Sequence, residues 1–141
     1  MREILFRGKR TGNEKWICGH LLEQNIPDCH SYIVMSIIAE MDNRHIEIMD
    51  FDINEVIPET VGQYTSLTDK NGVKIFEGDI VTGYFNYEKI VGYIFYGGNA
   101  QFFIQRDGIY GIALDNSDCW LEVIGNIHDD PELLKGGDGN G

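Results

Sequence analysis

The segment from Glu59 to Val81 constrains the fold of this chain more than any other part of the sequence. It reads ETVGQYTSLTDKNGVKIFEGDIV, with glycine, asparagine and aspartate between two apolar runs. The dipeptide Asn71-Gly72 tolerates positive φ at little cost, so its position between these runs predicts a β-hairpin. Gly62 and Gly78 are predicted to allow tight turns on either side of the hairpin. The segment therefore predicts a change of direction in a β-structure.

Alternating apolar residues predict strands in the first half of the chain. Residues 2–7 (REILFR) and 15–22 (KWICGHLL) alternate with period two, and the turn-forming cluster between them predicts an N-terminal hairpin. The β-branched run at 31–40 predicts a strand buried on both faces, with a short helix as the alternative. Residues 45–50 predict another strand, and residues 51–60 an irregular segment or one short strand.

The second half of the chain predicts about five short strands between residues 78 and 127. Residues 128–134 (HDDPELL) follow with the chemistry of a helix start, since Asp130 can cap and Pro131 suits the first helical position. We therefore predict a mainly β chain with an N-terminal β unit at 1–76 and a second β unit at 77–134. Residues 135–141 are predicted to form a flexible tail.

The charge of the chain limits its partners. A formal net charge of −12 opposes binding to nucleic acid, which depends on Lys and Arg contacts to phosphate. Basic residues nevertheless concentrate at the start of the chain, namely Arg2, Arg7, Lys9, Arg10 and Lys15. They form either a local anion-contacting patch or a hairpin whose charges pair with acidic neighbours.

The cysteine count and the apolar segments of the sequence indicate the cellular compartment of the protein. Three cysteines, an odd number, fit reduced thiols better than a disulfide framework. The start, MREILFRGKR, lacks the apolar region of a secretory signal, and no apolar run has the length of roughly 18 residues that a membrane helix requires. We therefore expect a cytoplasmic protein without a membrane segment.

Three groups of polar residues could bind a metal ion or act in acid–base catalysis, and each group also has a structural explanation. Metal ligands are available at Cys18, His20, Cys29 and His30, but their spacing matches no zinc pattern. A mainly acidic set resembles a calcium-binding loop, but its spacing is not that of an EF-hand; it consists of Asp69, Asn71, Glu77 and Asp79. Acid–base groups occur at His128, Asp129 and Asp130, where helix capping explains the aspartates. We therefore predict no catalytic, cofactor-binding or metal site, and no enzyme.

Aromatic residues are dense in the second half of the chain, at Tyr84, Phe85, Tyr87, Tyr93, Phe95, Tyr96, Phe102 and Phe103. Aromatic side chains on a sheet can stack single-stranded bases, but such sites also need a basic groove. Residues 77–141 contain only Lys89, Arg106 and Lys135 as basic residues. Packing in the core and at a subunit interface is therefore the favoured interpretation.

Several of these segments together resemble the YopX family. The resemblance lies in residues 2–9 with Trp16, in 60–65, in 69–72, in 75–81 and in 122–129, and so covers nearly the whole chain. One departure is Ser66, where the family usually has glycine after the Tyr-Thr pair. The resemblance implies a small protein of bacteriophages and prophages with no established activity. It also implies that the C-terminal part is an SH3-like barrel, in line with the separate count of about five strands.

These observations lead to two functional expectations. The first is a non-enzymatic phage or prophage accessory protein, without cofactors, that acts through protein contacts with a host or phage protein and forms a homo-oligomer. The alternative is a nucleic-acid-related regulator that uses Arg7, Lys9 and Arg10 of the basic hairpin, or an acidic mimic of nucleic acid. Nucleic acid is the less favoured partner because of the overall negative charge.

Overall fold

A computed structural model describes residues 3–25, 28–41, 46–98, 100–106, 109–115 and 120–136, with side chains at all of these except 36–41, 46–51, 109–110 and 136. The chain divides into two compact units, Glu3–Gln63 and Tyr64–Gly141. Arg2 and the first residue of the strand predicted at 45–50 lie outside the described residues.

The first unit is an antiparallel meander. Its strands are β1 (Phe6–Lys9), β2 (Trp16–Gln24), β3 (His30–Met41) and β4 (Ile46–Val56), in the order β4-β3-β2-β1. The predicted N-terminal hairpin and the strand over 31–40 are confirmed. The predicted burial of this strand on both faces is wrong, because Ile33 is buried whereas Met35 is 47% exposed. β4 is longer than the strand predicted at 45–50, because its pairing with β3 continues to Val56. Two register shifts interrupt this pairing.

The meander curls until its first and last strands meet at one end. Arg10 forms a β-bridge with Val56, and the N–H of Ile57 donates to the carbonyl of Lys9 over 2.8 Å. Gly8 makes this approach possible, since a Cβ at that position would lie 2.9 Å from the Cβ of Val56. Val56 and Ile33 are fully buried and belong to the core of this unit. A 3-10 helix, Pro58–Thr60, follows β4.

Strand β5 (Gly62–Thr68) leaves the first unit and enters the second. Gly62 pairs with Arg7 and is the first residue of this strand, so its predicted role in a tight turn is wrong. Beyond the unit boundary, β5 pairs with β6 (Lys74–Phe76), and this confirms the predicted hairpin around Asn71-Gly72.

The second unit is built on a five-stranded antiparallel sheet. Its strands are β7 (Asp79–Phe85), β8 (Glu88–Tyr96), β9 (Phe102–Arg106), β10 (Ile109–Ala113) and β11 (Glu122–Asn126), in the order β10-β9-β8-β7-β11. The mainly β prediction is therefore confirmed. The pairings of the described residues give an open order that ends in β10 and β11, so they do not close a barrel.

Alternation along the strands directs one face of this sheet to a core. In β8, Ile90, Gly92 and Ile94 are buried while the residues between them are partly exposed. The same core contains Ile75, Val81, Ile104 and Leu121. This single cluster joins the sheet to β6 of the hairpin.

A short helix, α1 (Glu132–Gly136), ends the described chain and confirms the predicted helical turn. The carboxylate of Asp130, expected to cap this helix, instead accepts the N–H of Asn126 over 3.1 Å. Lys135 and Gly136, predicted as tail residues, belong to the helix, and residues 137–141 lie outside the described residues.

Asp69 joins the β5–β6 hairpin to the sheet. Its carboxylate is 2% exposed, and its Oδ1 accepts the N–H groups of Asn71 and Val73 over 2.8 and 2.9 Å. Its Oδ2 accepts the N–H of Val123 in β11 over 2.9 Å. The N–H of Lys70 also donates to the carbonyl of Leu121 over 2.8 Å.

These bonds attach the hairpin to the second unit. The sequence predicted a boundary between two units near residue 76, after the hairpin, whereas the boundary between the two units of the structure lies before Tyr64.

The hydrogen bonds to Asp69 also determine its charge. Burial alone would raise its pKa, but the N–H groups of Val123, Val73 and Asn71, together with Lys70, lower the pKa below the ordinary aspartate value.

Gly72→Val tests the hairpin. Gly72 has a φ of +81°, and no heavy atom lies within 4 Å of an added Cβ, so the cost is conformational alone. We expect the free energy of unfolding in urea to fall by about 1–2 kcal/mol. Gly12→Val is the matched control, because Gly12 has equally open surroundings and no positive φ. Equal effects of the two substitutions would contradict the turn.

Asp69→Asn tests the buried carboxylate. We expect the variant to unfold with about 3 kcal/mol less free energy at pH 7, because an amide cannot replace both charged acceptor oxygens. Since the folded pKa is lowered, the stabilisation is complete above 3.8, the ordinary value, and is lost as pH falls through the folded pKa. The difference from the unmodified protein in urea unfolding should therefore shrink in acid. A difference independent of pH would refute this account, and Asp28→Asn, at an exposed site, is the control.

Candidate interaction surfaces

The basic residues of the first hairpin lie against an aromatic ring. The guanidinium carbon of Arg7 is 4.9 Å from the ring centroid of Trp16, and the Nζ of Lys9 is 6.0 Å from it. The same Nζ lies 3.7 Å from the Oε1 of Glu14. These distances fit cation–π contacts and one ion pair, so the hairpin uses both charges within its own fold. They support the second of the two interpretations of the basic end.

The possible metal ligands of the first unit do not converge. Cys18 and His20 lie on the exposed face of β2, and Cys29 is exposed before β3. The Nδ1 of His30 is 2.9 Å from the Oε2 of Glu55, in a hydrogen bond between neighbouring strands. Across the described part of the chain, no three His, Cys, Asp or Glu side chains form a group that could hold a metal ion.

In both acidic segments found in the sequence, side-chain oxygens accept hydrogen bonds from backbone N–H groups. Asp69 holds the hairpin as described above, and the Oδ2 of Asp79 accepts the N–H of Phe76 over 2.7 Å. Near the helix, the Oδ1 of Asn126 accepts the N–H groups of His128 and Asp129, each over 2.9 Å. The carboxylate of Asp130 accepts the N–H of Asn126 in the same turn, so turn formation accounts for Asp69, Asp79 and Asp130.

The aromatic residues of the second unit fall into two groups. One group packs on the sheet, where ring centroids are 6.3 Å apart for Tyr93–Phe95, 5.5 Å for Phe95–Phe103 and 5.1 Å for Tyr96–Phe102. Separations of this size are typical of favourable aromatic pairs. This group contributes to packing within the unit, as the sequence indicated.

The other aromatic group lies at the end of the β7–β8 hairpin, and we call it the aromatic tip: Tyr84, Phe85 and Tyr87. These side chains are 70%, 36% and 103% exposed. Asn86 and Tyr87 form the two-residue turn, with φ of +53° and +68°. Positive φ at both positions is typical of a type I′ turn, which favours glycine at the second of them. A bulky, fully exposed tyrosine therefore occupies a position that disfavours it on backbone grounds.

A cavity of about 260 Å³ opens on the second unit, and we call it the β5–β10 cavity. Its lining residues are Thr65, Leu67, Gln101, Phe102, Ala113, Leu114 and Asp115. Leucine and phenylalanine side chains form its apolar wall, while Gln101 and Asp115 supply polar groups. The sequence did not indicate this cavity, because its residues come from three separate segments of the chain.

Ser66 lies in an irregular part of β5 beside this cavity. Its φ is +76°, and the register between β5 and β6 shifts between Tyr64 and Thr68. The hydroxyl of Thr65 donates to the carbonyl of Ile75 over 2.9 Å and accepts the N–H of Leu67 over 3.2 Å. The strand therefore bulges at a residue with a left-handed conformation, which is where glycine is favoured.

Ser66→Gly should raise stability. Glycine adopts positive φ without the steric cost of a Cβ, and this gain exceeds the entropy lost on folding, so we expect about 0.5–1 kcal/mol more free energy of unfolding. Ser31→Gly is the control, because Ser31 is a buried residue of β3 without positive φ, and the change there should destabilise. Urea unfolding of both variants measures the effects, and a loss of stability in Ser66→Gly would refute the strained conformation.

Comparisons with known proteins identify a structure with a similar fold and the family to which the chain belongs. No curated protein sequence matches this chain significantly. Among solved structures, the crystal structure of protein EF1440 from Enterococcus faecalis is similar, with a TM-score of 0.63 and 24% sequence identity over 95% of this chain and 99% of that chain. At this identity the similarity shows a shared fold.

In the part of the chain that the structure describes, no helix has the length and apolar character needed to cross a membrane. The sequence profile described as YopX protein matches residues 5–135, which is nearly the whole chain. The expected resemblance is thereby confirmed, and the chain belongs to the YopX family.

Proposed function

We propose that this chain is a non-enzymatic phage or prophage protein of the bacterial cytoplasm that acts through protein contacts and self-associates. The observation that carries the proposal is the aromatic tip, where Tyr84 and Tyr87 are largely exposed while Phe85 packs in part against Trp120. Tyrosine and other aromatic residues are enriched at the centres of protein interfaces, where they contribute most of the binding energy.

The backbone of the tip strengthens this argument. Tyr87 has a φ of +68°, although glycine would fit the turn better. Its side chain is fully exposed, so the residue gains no burial within its own chain in return. Strained backbone of this kind is often found at functional positions, where another interaction makes up for the cost. Contact with a partner would bury the ring and supply that interaction.

The charge of the tip also suits association. The chain carries a net charge of −12, so two copies repel each other over most of their surfaces. Residues 84–89 contain one acidic residue, Glu88, and one basic residue, Lys89, and so carry no net charge. A neutral apolar projection is a favourable place for first contact between two acidic molecules.

The polar residues favour a non-enzymatic role. Asp69 and Asp79 are buried, and their carboxylates bind backbone N–H groups. Asn126 and Asp130 are occupied in the same way before α1. Three of these residues, Asp69, Asp79 and Asp130, were candidates for acid–base or metal chemistry in the sequence, and their carboxylates are used to build turns.

Removing the aromatic tip should abolish self-association. We expect light scattering across a range of protein concentrations to give an oligomer for the unmodified protein and a monomer for Tyr84→Ser/Tyr87→Ser. The reason is the loss of two exposed rings, each worth about 1–2 kcal/mol or more at an interface.

Val73→Ser is the matched control, because Val73 is an exposed apolar residue, 48% accessible, on another hairpin loop. It should retain the oligomer. An unmodified protein that is monomeric at every concentration would refute self-association. An oligomer that persists in the double variant would show that the tip is not its interface.

A further inference from the structure

We infer that Tyr87 of one copy inserts into the β5–β10 cavity of a second copy, so that the protein assembles by exchange of its aromatic tip. This inference rests on the proposed function and specifies the contact by which self-association would occur. It joins the most exposed large apolar side chain described in the second unit to a cavity on the same unit.

The cavity has the size for a phenol side chain. Its volume is about 260 Å³. It is smaller than most cavities that enclose a complete cofactor or drug-sized ligand, which start near 300 Å³. A single projecting side chain is therefore a better match in size.

The chemistry of the lining also fits tyrosine. Leu67, Phe102 and Leu114 provide apolar and aromatic contacts for the ring. Asp115 is exposed at the same cavity, and its carboxylate can accept the phenol O–H, while Gln101 offers a second polar group. The lining is about equally polar and apolar, which suits a phenol side chain because it combines an apolar ring with a polar O–H.

A copy cannot place its own tip in its own cavity. Tyr87 precedes the first residue of β8, whereas the cavity residue Phe102 pairs with Tyr96, the last residue of β8. A strand of this length spans roughly 30 Å at about 3.3 Å per residue. Tip and cavity therefore lie at opposite ends of β8, and the contact has to form between molecules.

This separation suggests the symmetry of the assembly. Two copies placed side by side with opposite strand directions bring each tip to the other copy's cavity. The two contacts are then identical and related by a two-fold axis, which is the commonest symmetry of homo-oligomers. We take this reciprocal dimer as the expected assembly.

The test uses one variant of the tip and one of the cavity. Tyr87→Ser removes the inserted ring, and Ala113→Arg fills the cavity from an exposed strand position where a larger side chain is tolerated. Each variant alone should weaken dimerisation at least about tenfold by light scattering, as expected for loss of a central aromatic anchor.

Mixing the two variants in equal amounts gives the decisive result. Ala113→Arg retains an intact tip and Tyr87→Ser retains an intact cavity, so a mixed dimer regains one of its two contacts. We expect fluorescence energy transfer between differently labelled variants to show mixed dimers at concentrations where each variant alone is monomeric. Absence of mixed dimers, with both single variants weakened, would refute insertion. A dimer weakened by Tyr87→Ser and unaffected by Ala113→Arg would also refute it and would indicate contact between two tips.

Controls separate folding from association. Ile124→Arg adds the same charge and bulk on β11, at the other end of the sheet, and should leave the dimer unchanged. Circular dichroism and the Tm of every variant confirm folding, and Asp115→Asn should weaken the dimer without affecting Tm. A monomeric unmodified protein would refute both the inference and self-association. A dimer unaffected by Tyr87→Ser and Ala113→Arg would refute the inference alone.

Discussion

The buried carboxylate of Asp69 is the interaction on which the second unit most depends. One side chain closes the β5–β6 hairpin and also binds β11, so the loop and the sheet share a single acceptor. Each unsatisfied buried N–H would cost about 1–3 kcal/mol, a large share of the stability of a small domain. Because the bound N–H groups favour the charged form and lower the pKa of Asp69, the carboxylate can remain ionised although it is almost completely buried.

Local signals in the sequence predicted much of the fold. Asn71-Gly72 gave the hairpin, and the β-branched run at 31–40 gave β3, because turns and strands depend mainly on neighbouring residues. The helical turn at the end of the described chain followed from Pro131 in the same way. Gly62 was misassigned, since glycine also occurs in strands, and only pairing with Arg7 distinguishes the two uses.

The features that form the candidate surfaces could not be predicted locally. Asp69 and Val123 are 54 residues apart, and no short motif links them. The β5–β10 cavity likewise combines residues from three segments. The sequence showed Tyr87 as one of many aromatic residues, but only the structure shows that it is fully exposed at positive φ. Ser66 was visible as a departure from the family pattern, and its left-handed conformation explains why glycine would suit that position.

The distance in sequence between Asp69 and its partner affects the order in which the chain can fold during synthesis. The hairpin leaves the ribosome well before Val123, so the carboxylate has two of its three backbone partners at first and keeps one oxygen in water. Contacts of such long range form late and slow folding. The first unit closes over a similar distance in sequence, since the N–H of Lys9 donates to the hydroxyl of Thr60, 51 residues later, but both of these residues are made before β11. The two halves are therefore expected to fold in succession, with the second half held incomplete until β11 is available.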